Sequence, residues 1–167
     1  MTTSFDIKFT ITGVNCDLLR HSEAISALDL QNEMVTGDAE LIVGDQTIRL
    51  ENCGLLGLAV SLRWLCLYPI LYGLPANDMA HDDAIAFRAQ YTTPHLCLTI
   101  SDLESGRTHE LQLNPVEFLQ SVGAQYRKAL TVMFEQCPEI QHHRKLLASL
   151  PDASNLLSAG LGSTQSN

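Results

Sequence analysis

The 167-residue sequence has few basic residues: ten Lys and Arg stand against 19 Asp and Glu, a formal net charge of −9. Proteins that bind a nucleic-acid backbone need a basic surface, so this balance argues against a nucleic-acid partner. The sequence also lacks the GxSxG, Walker A and GxGxxG motifs. No catalytic motif therefore identifies an activity, and the sequence is more informative about fold than about chemistry.

Cysteine is present but in no recognisable arrangement. The five cysteines are odd in number, widely scattered and without a C-x-x-C pair, which argues against a disulfide framework: Cys16, Cys53, Cys66, Cys97 and Cys137. The first residues, MTTSFDIKF, show no basic region followed by an apolar segment, so no signal peptide is visible. Both observations predict a reducing, cytoplasmic location.

One long apolar run, Cys53 to Leu74, is the strongest feature of the sequence. It predicts a helix that begins at Asn52 as N-cap, runs to about Tyr68 and ends or kinks before Pro69. A helix that is apolar nearly all round is buried, so we interpret it as the central core helix. A membrane span is the alternative, but Arg63 at its centre would cost roughly 2.5–3.5 kcal/mol.

The small residues and the single charged residue within this run allow two further predictions. Gly54, Gly57 and Ser61 fall near one face, where another element can approach closely. Arg63 needs an acidic partner on a facing element if the helix is buried.

Alternating apolar residues predict strands on both sides of the central helix. A long amphipathic helix is predicted from Asn114-Pro115 to about Gln136, because Asn114 can cap it and Pro115 suits the first position. Residues 15–34 are ambiguous, 73–78 are expected to be loop, and a short last helix runs from Pro138 to Leu147. Gly37 opens a predicted hairpin whose two-residue turn is Gly44-Asp45. The predicted strands lie at residues 5–13, 40–43, 48–50, 85–91, 96–100 and 108–113.

The predicted fold class is α+β. A single antiparallel sheet of about five or six strands packs on the buried central helix and the long C-terminal amphipathic helix. Residues 1–150 form one domain, and residues 151–167, rich in Ser, Gly and Asn, form a disordered tail.

Two groups of residues are weighed as metal ligands. The loop from Asp78 to Asp83 gathers three carboxylates and His81, which leaves a small hydrolase or metal-dependent enzyme as an alternative function. His142 and His143 are adjacent and point apart on a helix, and Glu139 with His143 supplies only two ligands. Neither group is a complete site, so we predict no metal, no cofactor and no catalytic residue.

The acidic residues are concentrated in the first third of the chain. Residues 1–53 hold nine carboxylates against three basic residues, a net charge of 9 acidic minus 3 basic, or −6. A face of this kind either keeps a protein soluble or attracts a basic partner. The candidate partner-binding residues are Glu33, Asp38, Glu40, Asp45, Glu51, Asp78, Asp82 and Asp83.

Five segments between Phe5 and Leu147 set the layout of the chain: FDIKFTI, GDAELIVGDQTIRLE, GLLGLAVSLRWL, LCLTISDLESGRTHELQL and NPVEFLQSVGAQYRKAL. In order and composition this layout resembles small cytosolic immunity proteins of bacterial toxin–immunity systems. The resemblance implies a non-catalytic inhibitor that binds and blocks a toxin, and such inhibitors are often acidic when the toxin is a basic nuclease. A scaffold or oligomerisation subunit that uses the exposed side of the central helix is a further alternative.

Overall fold

The protein is described here by a computed structural model covering residues 4–21, 26–80 and 84–163. It is α+β, as predicted, but its strands form two antiparallel sheets rather than one sheet of about five or six strands. The first sheet has the order β1-β2-β3, with β1 Phe5–Val14, β2 Val35–Val43 and β3 Gln46–Gly54. The second has the order β4-β5-β6-β7, with β4 Ala76–Ala80, β5 Ile85–Thr92, β6 His95–Asp102 and β7 Thr108–Leu113.

Helix α2, Leu55–Tyr72, explains why there are two sheets. Its 18 residues span about 27 Å, so the strand that follows it starts far from the end of β3. A hairpin connection places consecutive strands side by side, whereas this helix carries the chain to a new sheet. The helix contacts strands of both sheets, which confirms its central place.

The ends of α2 differ from the prediction. Asn52 lies within β3 at a φ of 53°, and Gly54 occupies the N-cap position. Pro69 lies inside the helix, which continues for another turn because the proline ring is itself buried. The helix ends at Gly73, whose φ of 67° is left-handed and whose N–H donates to the Pro69 carbonyl at 3.0 Å.

By length and composition alone, α2 is the one helix within the described ranges that could cross a membrane. Half of this span is buried inside the fold, as in the core helix of a folded domain.

Helix α1, Ala27–Glu33, lies in the segment that the sequence left ambiguous. It packs against the start of α2 so closely that a Cβ on Gly54 would overlap the backbone of Asn32. A Cβ on Gly57 would overlap the Asn32 side chain. The prediction that these two glycines allow close approach of another element is therefore confirmed.

Helix α3, Pro115–Gln136, covers the edge of the first sheet. Its Asn114 cap is confirmed, since the side chain accepts the N–H groups of Val116 and Glu117. Ser121 and Gln125 accept the N–H groups of Ile7 and Phe9 at 3.1 and 3.0 Å. These side chains satisfy donors that an edge strand would otherwise leave open to another chain.

The C-terminal segment is more ordered than the sequence indicates. In place of one short helix, a 3-10 helix Pro138–His142 is followed by α4, Arg144–Ala148. Residues 153–163, which we assigned to a disordered tail, form α5, Ala153–Ser163. Ala153 is fully buried, so packing against the rest of the fold overrides the polar, glycine-containing composition.

Candidate functional site

One side of the C-terminal half of α2 is apolar and exposed to solvent. Trp64, Tyr68 and Tyr72 recur every four residues and therefore lie on one side of the helix. Their rings form a ladder in which both neighbouring pairs have centroids 4.8 Å apart. The side chain of Trp64 is 44% exposed and that of Tyr72 is 66% exposed.

Aliphatic side chains extend this ladder. Leu71 lies on the same side of the helix, and Leu74 follows directly after it; both are more than half exposed. We call Trp64, Tyr68, Leu71, Tyr72 and Leu74 together the α2 surface. The opposite side of α2 faces the core through Ala59, Leu62 and Cys66.

The α2 surface corrects one part of the sequence interpretation. A helix that is apolar nearly all round was expected to be buried, and its first turns, Leu55 to Ala59, are; the C-terminal half is only partly covered. The four-residue spacing of Trp64, Tyr68 and Tyr72 was visible in the sequence. Only the tertiary structure shows that this side has no covering element within the described residues.

Two of the candidate acidic residues are engaged within the fold. The Asp38 carboxylate accepts the N–H of Asn52 at 3.0 Å, which stabilises the irregular part of the β2–β3 pairing. Glu40 forms an ion pair with Arg49 at 2.7 Å, directly across from it on the neighbouring strand. These carboxylates contribute to structure, and the pairing with Arg49 reduces the negative charge that Glu40 presents.

The other candidate acidic residues lie in different places. Asp45 is exposed in the β2–β3 turn, Glu51 is exposed on β3, and Glu33 is exposed in the last turn of α1. Asp78 is half-buried on β4, where its carboxylate accepts the N–H of Met79 at 2.8 Å.

The structure therefore spreads the candidate acidic residues over two sheets and a helix. Asp82 and Asp83, with His81 of the alternative enzyme site, lie outside the described residues. The segment predicted as loop before them is strand β4 as far as Ala80.

A groove of about 250 Å³ lies between α2 and α3. Arg63 and Asp152 form an ion pair at one side of it, with Nη1 and Oδ2 3.0 Å apart. The expected acidic partner of Arg63 is thus present, although the arginine is half-exposed rather than buried.

Tyr126 also lines this groove, and its hydroxyl donates to the Pro151 carbonyl at 2.8 Å. Burial, followed by the nearby Asp152 charge, raises the pKa of this hydroxyl. A neutral hydroxyl held in this way connects α3 to the C-terminal segment and does not act as a base near neutral pH.

Two thiols of the core are similarly unsuited to nucleophilic chemistry. Burial raises the pKa of Cys66 to about 12, and burial together with the Asp38 charge raises the pKa of Cys53 to about 11. Reactive cysteines have a lowered pKa and an accessible sulfur, so Cys53 and Cys66 serve as small apolar residues.

Comparison of the chain with family models, curated proteins and solved structures found no match.

Proposed function

We propose that the chain is a non-catalytic inhibitor that binds and occludes a basic protein partner, as an immunity protein does to its toxin. The observation that carries the proposal is the α2 surface, an exposed aromatic ladder on a chain of net charge −9. Apolar contact would hold the complex, and charge would favour a basic partner over other proteins.

The composition of the α2 surface favours protein binding. The centres of protein interfaces are enriched in aromatic side chains and depleted of charge, and Trp and Tyr are common among residues that dominate binding energy. The α2 surface contains one Trp and two Tyr and no charged residue. Its ladder is also preorganised, because each ring already packs against its neighbour in a tilted arrangement.

Charge has a separate part in the proposed mechanism. Exposed carboxylates such as Asp45 and Glu51 attract a basic partner over distances beyond contact and so raise the association rate. Asp78 lies on the strand that follows α2, which places one of the candidate carboxylates close in sequence to the apolar anchors. A cytoplasmic location remains part of this proposal.

The first experiment identifies the partner and tests the anchors. A pulldown from the native host yields the bound protein, and its affinity is then measured for wild type and for Trp64→Ala and Tyr72→Ala. We expect each variant to weaken binding about 30-fold, because a dominant interface residue contributes about 2 kcal/mol or more.

Val116 supplies the matched control for that experiment. It is a comparably exposed apolar residue, 60% exposed at the start of α3, outside the α2 surface. Val116→Ala should leave binding unchanged. Equal affinities for Trp64→Ala, Tyr72→Ala and wild type would contradict the proposed anchors.

The second experiment tests charge with residues that do not support the fold. Asp45→Lys combined with Glu51→Lys reverses two exposed charges and avoids Asp38 and Glu40, which have structural contacts. We expect a slower association at low salt and a difference that shrinks as salt rises, since screening shortens the Debye length to about 8 Å at 0.15 M. If neither the double substitution nor the salt concentration alters the association rate, the acidic residues contribute only to solubility.

The oligomeric state of the free chain distinguishes this proposal from the scaffold alternative. Sedimentation should show a monomer whose Trp64 fluorescence is that of a solvent-exposed indole. A stable dimer that Trp64→Ala dissociates would instead assign the α2 surface to self-association.

A further inference from the structure

Three metal-ligand atoms from two distant parts of the chain meet at one place. The sulfurs of Cys16 and Cys137 and a carboxylate oxygen of Glu139 all lie within 4.8 Å of one another. Cys16 begins the 3-10 helix Cys16–His21 after β1, Cys137 directly follows α3, and Glu139 lies in the next 3-10 helix.

The backbone around this cluster is held by contacts of its own. Cys137 caps α3, with its N–H donating to the Met133 carbonyl at 2.8 Å. The next turn is closed by the N–H of Ile140 donating to the Cys137 carbonyl at 3.1 Å, and both residues are fully buried. Cys16 donates its thiol to the Gln136 carbonyl at 3.4 Å. The three ligand atoms are thus brought together by the fold itself.

The spacing fits a tetrahedral cation. With Zn–S bonds of about 2.3 Å and Zn–O bonds of about 2.0–2.2 Å, tetrahedral ligand atoms lie roughly 3.5–3.8 Å apart. Small side-chain rotations are enough to close a separation of at most 4.8 Å to that value. Two sulfurs and one oxygen suit zinc, whereas calcium and magnesium prefer oxygen ligands alone.

We propose that Cys16, Cys137 and Glu139 bind one zinc ion, which joins the end of β1 to the end of α3. Each thiol releases its proton when the metal binds, so two protons leave for each zinc that enters. Three protein ligands leave the fourth position for a water molecule. This site is independent of the proposed partner binding, since it uses none of the residues of the α2 surface.

Cobalt is the probe for this site because it adopts the same geometry and is coloured. The reduced protein, freed of metal by a chelator that is then removed, is titrated with Co²⁺ without oxygen. We expect saturation at one equivalent, with the strong visible absorption of tetrahedral cobalt and a thiolate-to-cobalt band in the near ultraviolet. Added Zn²⁺ should displace the cobalt and remove both bands. A titration that measures proton release should count two protons for each metal ion bound.

Variants decide whether the named residues are the ligands. Cys16→Ser and Cys137→Ser should each weaken metal binding and reduce the intensity of the thiolate band per cobalt to about half of the wild-type value or less, because at most one thiolate ligand remains. Glu139→Gln should shift the visible bands and weaken binding. Cys97→Ser is the matched control, since Cys97 is a half-buried thiol on β6 outside the cluster, and it should keep the full spectrum. Serine at the fully buried position of Cys137 can prevent folding. In that case Cys16→Ser still tests the site, because Cys16 is half-buried.

Thermal unfolding gives a second measurement. Zinc that binds the folded chain should raise the melting temperature of wild type and of Cys97→Ser, but not that of Cys16→Ser. The proposal is overturned if the reduced protein binds neither metal or if Cys16→Ser keeps the cobalt–thiolate band at full wild-type intensity. It is also overturned if only a Cys16–Cys137 disulfide is found, seen as a mass two hydrogens lower.

Discussion

Arg63, in the middle of α2, forms an ion pair with Asp152, the residue immediately before α5, with Nη1 and Oδ2 3.0 Å apart. The pair connects the central helix to the segment that the sequence assigned to a disordered tail. Asp152 has a φ of 59°, a left-handed conformation that Asp and Asn adopt more readily than most residues. Both side chains are about half exposed, so the ion pair is weak and packing of Ala153 supplies more of the order.

The first prediction concerns the strength of this ion pair. A double-mutant cycle with Arg63→Gln and Asp152→Asn should give a coupling energy of about 0.2–1 kcal/mol, because solvent screens an exposed pair. Asn, like Asp, readily adopts the left-handed backbone conformation at position 152. The cycle therefore measures the interaction between the two charges. Urea unfolding gives the free energies, and a coupling above about 2 kcal/mol would indicate a desolvated pair.

The second prediction contrasts two glycines at the contact of α1 with α2. Gly54→Ala should destabilise the fold by about 1–3 kcal/mol, because the new Cβ meets the backbone of Asn32, which cannot move aside.

At Gly57 the new Cβ overlaps the end of the Asn32 side chain, which can rotate away, and lies 3.3 Å from the Gln31 carbonyl oxygen, a tight contact without overlap. Alanine also favours a helix by up to about 1 kcal/mol. Gly57→Ala should therefore stay within about 1 kcal/mol of wild type. Chemical denaturation of both variants measures the difference, and equal losses would contradict the geometry of this contact.

The third prediction concerns the N-terminal cap of α1. Ser26 accepts the N–H of Asp29 at 3.1 Å, and the Asp29 carboxylate accepts the Ser26 N–H at 2.9 Å. Ser26→Ala should cost about 0.5–2 kcal/mol of unfolding free energy, as loss of a capping side chain does.

The same cap makes the stability of the fold depend on pH. The hydrogen bonds from the Ser26 backbone and then its side chain lower the pKa of Asp29. The stabilisation by the ionised Asp29 carboxylate is therefore present when the pH is above the ordinary Asp pKa of about 3.9. It is lost as the pH falls through the lowered pKa of the folded state. Asp29→Asn should be less stable than wild type near pH 7, with the difference shrinking below pH ~4. Glu33→Gln, at the other end of α1, is the control and should change stability by less than about 0.5 kcal/mol.

The fourth prediction concerns the buried thiol of Cys66. Because burial raises its pKa from 9.0 to about 12, the folded state favours the protonated thiol. The associated stability is complete below pH 9.0 and is lost as the pH rises through about 12. At pH values near 8, a thiol reagent should therefore modify the half-buried Cys97 well before Cys66.

Mass spectrometry of partially labelled protein reads out the order of modification. Rapid labelling of Cys66 in the folded protein would show that this part of the core opens. Between pH 9 and 12, Cys66→Ala should lose less stability than wild type does.

Local sequence patterns determined most of the individual elements. Phe5, Ile7 and Phe9 alternate with polar residues and form β1, and Gly44-Asp45 forms the turn between β2 and β3. Asn114 and Pro115 begin α3 as expected. These signals depend on side chains a few residues apart, which is why the sequence alone reveals them.

Other elements required the tertiary structure. Residues 76–80 carry no clear alternation and became β4 because β5 offered an unpaired edge. Pro69 stayed within α2, and Ala153 began α5, because each side chain is buried against distant parts of the chain. In each case, burial or pairing outweighs a weak local preference.

The candidate sites divide in the same way. The sequence determined the acidic charge, the ladder spacing of Trp64, Tyr68 and Tyr72, and the resemblance behind the proposed inhibitor. Only the tertiary structure decided that the ladder is exposed and that Cys16 lies next to Cys137. It also decided that Asp38 accepts a hydrogen bond from Asn52 and that Glu40 pairs with Arg49. Contacts between residues far apart in the chain follow from how helices and sheets pack, and that information is distributed over the whole core.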